Sequence, residues 1–260
     1  MSRLNRLSAA AIKAMFSSET DEQLIMLIEI EDPIKTLVLE YFSDSNEIRL
    51  NNAGNLNIDD NLVFDNLITS GLVANTTYYI VDIDYSNNRI KLASSPKGNP
   101  VNVISNSLAQ VGGENPSVKR LIRIADSWIE RLSYTTTEEV IYGVKSIVSG
   151  NIREFIFIPV EVQLPQETES GETSCRLVFN YVTPEMIELI RTNLTKPAAV
   201  KIELVLGSNP GIIEAEFTDF FISNVSYNAS QITFELSMVP FSREPFPAYN
   251  FTPLYFPGLF

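Results

Sequence analysis

The sequence predicts a mainly β fold of the α+β kind: a β-sandwich or barrel with one flanking helix, and a small all-β domain inserted into it. Three observations lead there. Short runs alternate apolar and polar residues at the two-residue period of a half-buried strand, as in Ile232, Phe234, Leu236 and Met238. A strand, helix and strand follow one another between Arg176 and Leu206. Composition also shifts to asparagine-rich, turn-rich sequence over residues 41–113 and then shifts back.

In chain order, Ala9, Ala10, Ala11, Ile12 and Lys13 have high helix propensity, and the apolar run Leu24, Ile25, Met26, Leu27, Ile28 and Ile30 reads as a buried strand. Within the asparagine-rich stretch, residues 47–50, 62–64, 77–83 and 89–92 are strands. Asn51-Asn52, Asp59-Asp60 and Ser86-Asn87-Asn88 are the turns between them, and Gly112-Gly113 is a flexible exit. Residues 1–40 and 115–260 are therefore expected to form one domain, with 41–114 inserted at an exposed loop. Residues 154–159 read as a central strand and Val160, Val162 and Leu164 as half-exposed.

Thr183 as N-cap, Pro184 at the first helical position and Glu185 in the first turn start the predicted helix, Ile187, Ile190 and Leu194 form its packing stripe, and Pro197 ends it. The next strand sets Val200, Ile202, Leu204 and Leu206 against Lys201, Glu203 and Val205, so that one face packs. Ser208 to Gly211 is a predicted turn, and residues 216–227 and 232–238 form a hairpin. The last 17 residues are different in kind. Pro245, Pro247, Pro253 and Pro257 are interleaved with Phe246, Tyr249, Phe251, Leu254, Tyr255, Phe256, Leu259 and Phe260, which is too proline-rich for helix or strand and too apolar to be left in water. Such a segment is expected to lie extended across a surface, its own or a neighbour's.

At 260 residues and 45% hydrophobic content the chain can bury a sizeable core. Its formal charge of −13 opposes binding to a phosphate backbone, so nucleic acid is not expected as a stable ligand. The absence of histidine excludes Ser-His and Cys-His nucleophiles and histidine-based zinc sites. The one cysteine, Cys175, excludes internal disulfides and multi-cysteine metal sites and reads as a half-buried thiol. Residues 82–88 begin like a calcium loop but lack its glycine and closing glutamate, so they read as a hairpin turn. No cofactor and no catalytic or metal-binding residue is expected, and no apolar run is long enough to span a membrane. The N-terminus lacks the apolar core of a secretory signal, which places synthesis in a cytoplasm.

Three stretches carry a resemblance: Ile124 through Trp128 to Leu132; Phe155 through Pro159 to Pro165; and the ending from Glu244-Pro245-Phe246-Pro247 through Phe251-Thr252-Pro253 to Phe256-Pro257-Gly258-Leu259-Phe260. Together they resemble an uncharacterised family of bacteriophage tail proteins, over roughly residues 118–260. Residues 44–104 look like a small β module that recurs in tail and baseplate proteins. The resemblance implies a barrel-and-helix fold like that of tail-tube and distal-tail proteins. It also implies a place in the virion, as a structural subunit of the tail tip or baseplate, in a distal ring or the hub beneath it. The implied partners are copies of the chain itself, a hexamer being favoured over a trimer, together with tail-tube, tape-measure and other tail-tip proteins.

On that reading the C-terminal aromatics contact a neighbouring subunit, the acids Glu167, Glu169 and Glu172 face a lumen through which DNA slides, and the insert with Tyr78 and Tyr85 is exposed on the outside. Three alternatives stand beside it. Tyr78, Tyr79 and Tyr85 offer a platform for host-surface carbohydrate, although strand alternation sends Tyr78 and Tyr79 to opposite faces. The chain is otherwise a tail assembly factor, or an enzyme that uses a carboxylate pair.

Overall fold

The computed structural model describes residues 8–16, 22–32, 36–65, 71–104, 107–108, 115–132, 141–164, 174–180, 197–228 and 230–238. The predicted helix from Pro184, the acidic residues Glu167, Glu169 and Glu172, the Gly112-Gly113 exit and the C-terminal residues Phe246 to Phe260 lie outside them.

Among the described residues a short helix, α1 (Ala9–Phe16), precedes sixteen strands that hydrogen-bond into a single, almost wholly antiparallel sheet, so the fold is mainly β as the alternation predicts. Its spine is β1 (Leu24–Glu31), whose apolar run pairs along its whole length with β14 (Ala199–Leu206). Beyond β14 come β15 (Asn209–Tyr227), β16 (Ile232–Met238), β13 (Ser174–Phe179) and β12 (Val160–Gln163). Ile232, Phe234 and Leu236 point inward together and meet Leu177, Phe179, Ile28 and Ile30 in the larger core. Cys175 is buried in the same core, and burial pushes its thiol up to about 11. The turn before β15 is shorter than expected, because Asn209 already pairs with Leu206.

On the other side of β1 lies β8 (Ser117–Ala125), which joins the rest. It pairs with β4 (Asn61–Asp65), and the chain of pairings then runs through β5 (Thr77–Asp84), β6 (Arg89–Ala93), β3 (Glu47–Leu50) and β2 (Thr36–Phe42) back to β8. These six strands close on themselves around a second core that includes Tyr41, Leu62, Phe64, Tyr78 and Ile80. The expected insert limits of 41 and 114 therefore miss two of the strands that complete this circuit: β2 starts at Thr36, and β8 belongs equally to the ring and to the large sheet. Among the described residues, the large sheet itself follows an open path.

Asparagine and aspartate mark the ring's corners for a backbone reason. Asn46, Asp59, Asn75 and Asn88 all have positive φ, which short polar side chains tolerate better than branched ones. At residues 84–88 the Asp84 carboxylate accepts from the backbone N–H of Ser86 and Asn87, which builds the expected hairpin turn between β5 and β6.

Of the four strands left, β7 (Ser107–Leu108) pairs with β2, and the other three form a flap. β10 (Tyr142–Val148) and β11 (Asn151–Phe157) are joined by a two-residue turn, Ser149-Gly150, with positive φ at both positions. β9 (Glu130–Arg131) pairs with β10, and β11 meets β8 in parallel at Ile156 and Phe157. Val144 and Phe155 of the flap pack on Ile25, Leu27, Ala125 and Val205, which covers the second face of the spine. Gly143 permits the close approach of β10 to β11: a Cβ there would come within 2.0 Å of the Phe155 carbonyl oxygen and 2.6 Å of Leu132. Gly143→Ala is expected to destabilise the chain by about 2–3 kcal/mol through forced separation of β10 and β11, read as a lower urea midpoint.

Candidate functional site

The flap lies over the face of β1, β8 and β14 that carries their charged residues, and a cleft of about 390 Å³ opens between the Ser149 turn and the ring. It is lined by Glu29, Glu31, Asp65, Lys119, Arg123 and Arg153, with Asn75, Thr77 and Asn151 among its polar neighbours. Strand alternation brings these groups together: Leu121 and Arg123 share a face of β8, while Ile122 and Ile124 face the apolar core.

Each cation in the cleft is matched. Arg123, almost wholly buried, donates to Glu29 at 2.7 Å and to Thr77 at 2.8 Å, which fastens β8 to β1 and to the ring. Lys119 lies 3.0 Å from Glu31 and 3.6 Å from Asp65. Burial would lower the Lys119 pKa, but these carboxylates outweigh it and hold the ammonium above its ordinary value. Arg153 of the flap donates both terminal nitrogens to Glu203 of β14, at 3.0 and 2.9 Å, in the bidentate geometry that guanidinium and carboxylate share, and also reaches Ser146. Lys201 approaches Glu203 at 2.8 Å and Glu216 at 2.6 Å.

This corrects the one-faced reading of β14: Glu203 is 1% exposed and Val205 is fully buried, because the flap covers the face that local alternation assigns to water. Burial alone would raise the Glu203 pKa. The hydrogen bonds and charge of Arg153, then of Lys201, more than offset this and hold it below the ordinary carboxylate range.

The charged side chains named in the cleft are thus held in ion pairs and hydrogen bonds with one another. No cluster of carboxylate or thiol groups suited to a metal ion occurs among the described residues. A smaller cavity of about 110 Å³ beside Arg120 is similar in kind, since Arg120 is bound to Asp32 at 3.0 Å and to the Asn55 carbonyl at 2.9 Å.

No protein-family model matches the chain, and neither a curated protein nor a solved structure is significantly similar to it.

Of the residues expected at the surface of the insert, the structure separates two. Tyr85 is exposed and donates to the Leu56 carbonyl at 3.0 Å. Tyr78 is not exposed: it lies in the ring's core at 4% exposure, edge-on to Phe64, and its hydroxyl accepts from the Val73 N–H at 2.8 Å. Alternation does send Tyr79 the other way, but that side is covered as well. Tyr79 is fully buried beside Leu132 and Ile156, and its hydroxyl donates to the Ile152 carbonyl at 2.9 Å. Burial pushes its pKa up to about 12. The three tyrosines do not make one platform, since two of them are structural.

Tyr79 ties the ring to the flap, so Tyr79→Phe is expected to lower stability by about 1 kcal/mol, visible in the urea midpoint at neutral pH with the fold unchanged.

The exposed aromatic surface lies elsewhere. Trp128 and Tyr142 are about half exposed with ring centroids 5.0 Å apart. The available signal was the chain's only tryptophan, set in a polar stretch between two strands.

Proposed function

We propose that the chain is a structural virion protein of a tailed bacteriophage, a ring-forming subunit of the tail tip or baseplate that links tail tube to tip around the DNA channel. The observation that carries this reading is that the charged groups lining the cleft beside the flap are joined in ion pairs. They lock together a sheet continuous from the ring to the C-terminal hairpin. That is a stiff framework suited to bearing load and to holding several neighbours. The resemblance over residues 118–260 supplies the biological setting, and the excess of acids suits a wall past which DNA slides without sticking.

In this reading Glu167, Glu169 and Glu172 face the lumen, and the residues from Phe246 to Phe260 hold the adjacent copy. The protein acts without a catalytic residue or cofactor, and its partners are its own copies with the tube, tape-measure and tip proteins. The test is its position and copy number in intact tails by cryo-electron microscopy. Six copies around an open lumen support the distal ring, three move the chain to the hub, and absence from the particle replaces a structural role with that of an assembly factor.

A further inference from the structure

The cleft beneath the Ser149 turn has a floor of three adjacent strands. Glu29 and Glu31 share a face of β1, Arg123 of β8 is the register partner of Glu29, and Lys119 of β8 is that of Val63 on β4, the strand that also carries Asp65. Acid, base and acid thus follow one another across the strands, at the ordinary spacing of about 4.8 Å. The flap adds Asn151 and the ring adds Asn75 and Thr77. At about 390 Å³ the volume falls in the range of small-ligand sites, roughly 300–1,000 Å³.

This lining selects a class of ligand. Three carboxylates and three cations line the cleft, and the cations are paired with carboxylates. An ionic ligand would have to draw one of these groups from its partner, and the side chains of Arg123 and Arg153, only 2% and 11% exposed, would leave a buried charge unmatched. Val63, Leu121 and Val148 are its apolar members, too few to hold a hydrophobic ligand. The floor is a sheet face and not a strand edge, so an extended peptide has no backbone ladder to join there. What the cleft offers is hydrogen bonding from fixed groups. Glu29 meets Arg123 through Oε2 and Glu31 meets Lys119 through Oε1, so each of these partly exposed carboxylates has a second oxygen. Thr77 Oγ accepts from Arg123 and keeps its own proton to donate. A hydroxyl serves both kinds of group, since it donates to a carboxylate and accepts from an ammonium without adding charge.

We propose that the cleft binds a neutral saccharide, whose neighbouring hydroxyls bridge the acids of β1 and the Lys119 ammonium while Asn75 and Asn151 hold it from the ring and the flap. The site uses none of the three tyrosines and stands independently of the ring-subunit reading.

The test applies the full-length protein to an array of bacterial oligosaccharides, neutral ones beside others that carry uronic acids, with short peptides printed alongside. The strongest neutral saccharide is then titrated by calorimetry against the native chain, Glu31→Gln, Asn151→Ala and a control outside the cleft, Glu235→Gln, each checked for folding by circular dichroism. Neutral saccharides are expected to bind in preference to acidic ones, and each cleft substitution to weaken binding about tenfold while Glu235→Gln leaves it unchanged. Should Glu31→Gln fail to fold, Asn151→Ala, which leaves the ion pairs in place, still decides. An array on which no neutral saccharide binds overturns the proposal, as does an affinity indifferent to the cleft substitutions or a stronger response to acidic saccharides or peptides. Copy number in tails is read separately, so a silent array leaves the ring reading standing, and a chain absent from tails leaves the saccharide site standing.

Discussion

Replacing Arg153 with methionine is expected to remove about 3–5 kcal/mol of stability, because it leaves the Glu203 carboxylate buried beside Lys201 alone. Glu203 is 1% exposed, and its bidentate partner comes from a flap fifty residues away in sequence, so no other side chain is placed to replace both bonds. The effect should depend on pH with a definite sign. In the native protein the Glu203 pKa is depressed, so the stability it contributes is fully present above the unfolded carboxylate value and is lost as pH falls through the lower folded value. Without Arg153, burial dominates and the carboxyl favours its neutral form. The gap between native chain and variant should then narrow in acid, as Glu203 protonates in the variant first. Urea unfolding at neutral and at mildly acidic pH reads this directly. A paired substitution, Arg153→Met with Glu203→Met, should recover most of the loss, since two apolar side chains replace a desolvated pair. A gap that is small at neutral pH, or that widens in acid, would sink the account.

If residues 246–260 hold an adjacent copy as proposed, deleting residues 251–260 is expected to leave a folded protein that no longer assembles. The deletion removes Phe251, Leu254, Tyr255, Phe256, Leu259 and Phe260 and nothing from either described core. Circular dichroism and the urea midpoint should therefore stay close to those of the intact chain. Buried aromatic anchors in an interface are typically worth about 2 kcal/mol or more each, so loss of several weakens association by orders of magnitude. If the chain is the proposed ring subunit, light scattering should find the truncated protein monomeric and the intact one oligomeric, and complemented phage should lack the truncated protein in their tails. Normal incorporation of the truncated chain would refute the role assigned to this segment, and a truncated chain that fails to fold would show the segment to be part of its own subunit's core.

Local pattern was enough for the β class, for α1, for most strands and for the corners at Asp59 and Asn88, though not for those at Asn46 and Asn75. These follow from short-range rules: a two-residue period states which side chains share a face, and Asn or Asp states where φ can turn positive. Ile232, Phe234 and Leu236 are buried as their spacing requires, and residues 84–88 turn where their polar cluster does.

What period alone leaves open is what covers each face. Glu203 and Tyr78 were expected at a surface, and of Tyr78 and Tyr79 only one on a covered face, yet the β10–β11 flap and the closure of β2 onto β8 bury all three. The pairing of Arg153 with Glu203, of Arg123 with Glu29 and of Tyr79 with Ile152 spans fifty to nearly a hundred residues, and each depends on a crossing of strands that no local signal encodes. The sequence therefore determined the strands and their faces. Only the tertiary structure decided that the charges between them hold the framework together, because a buried charge acquires its role from the partner packed against it.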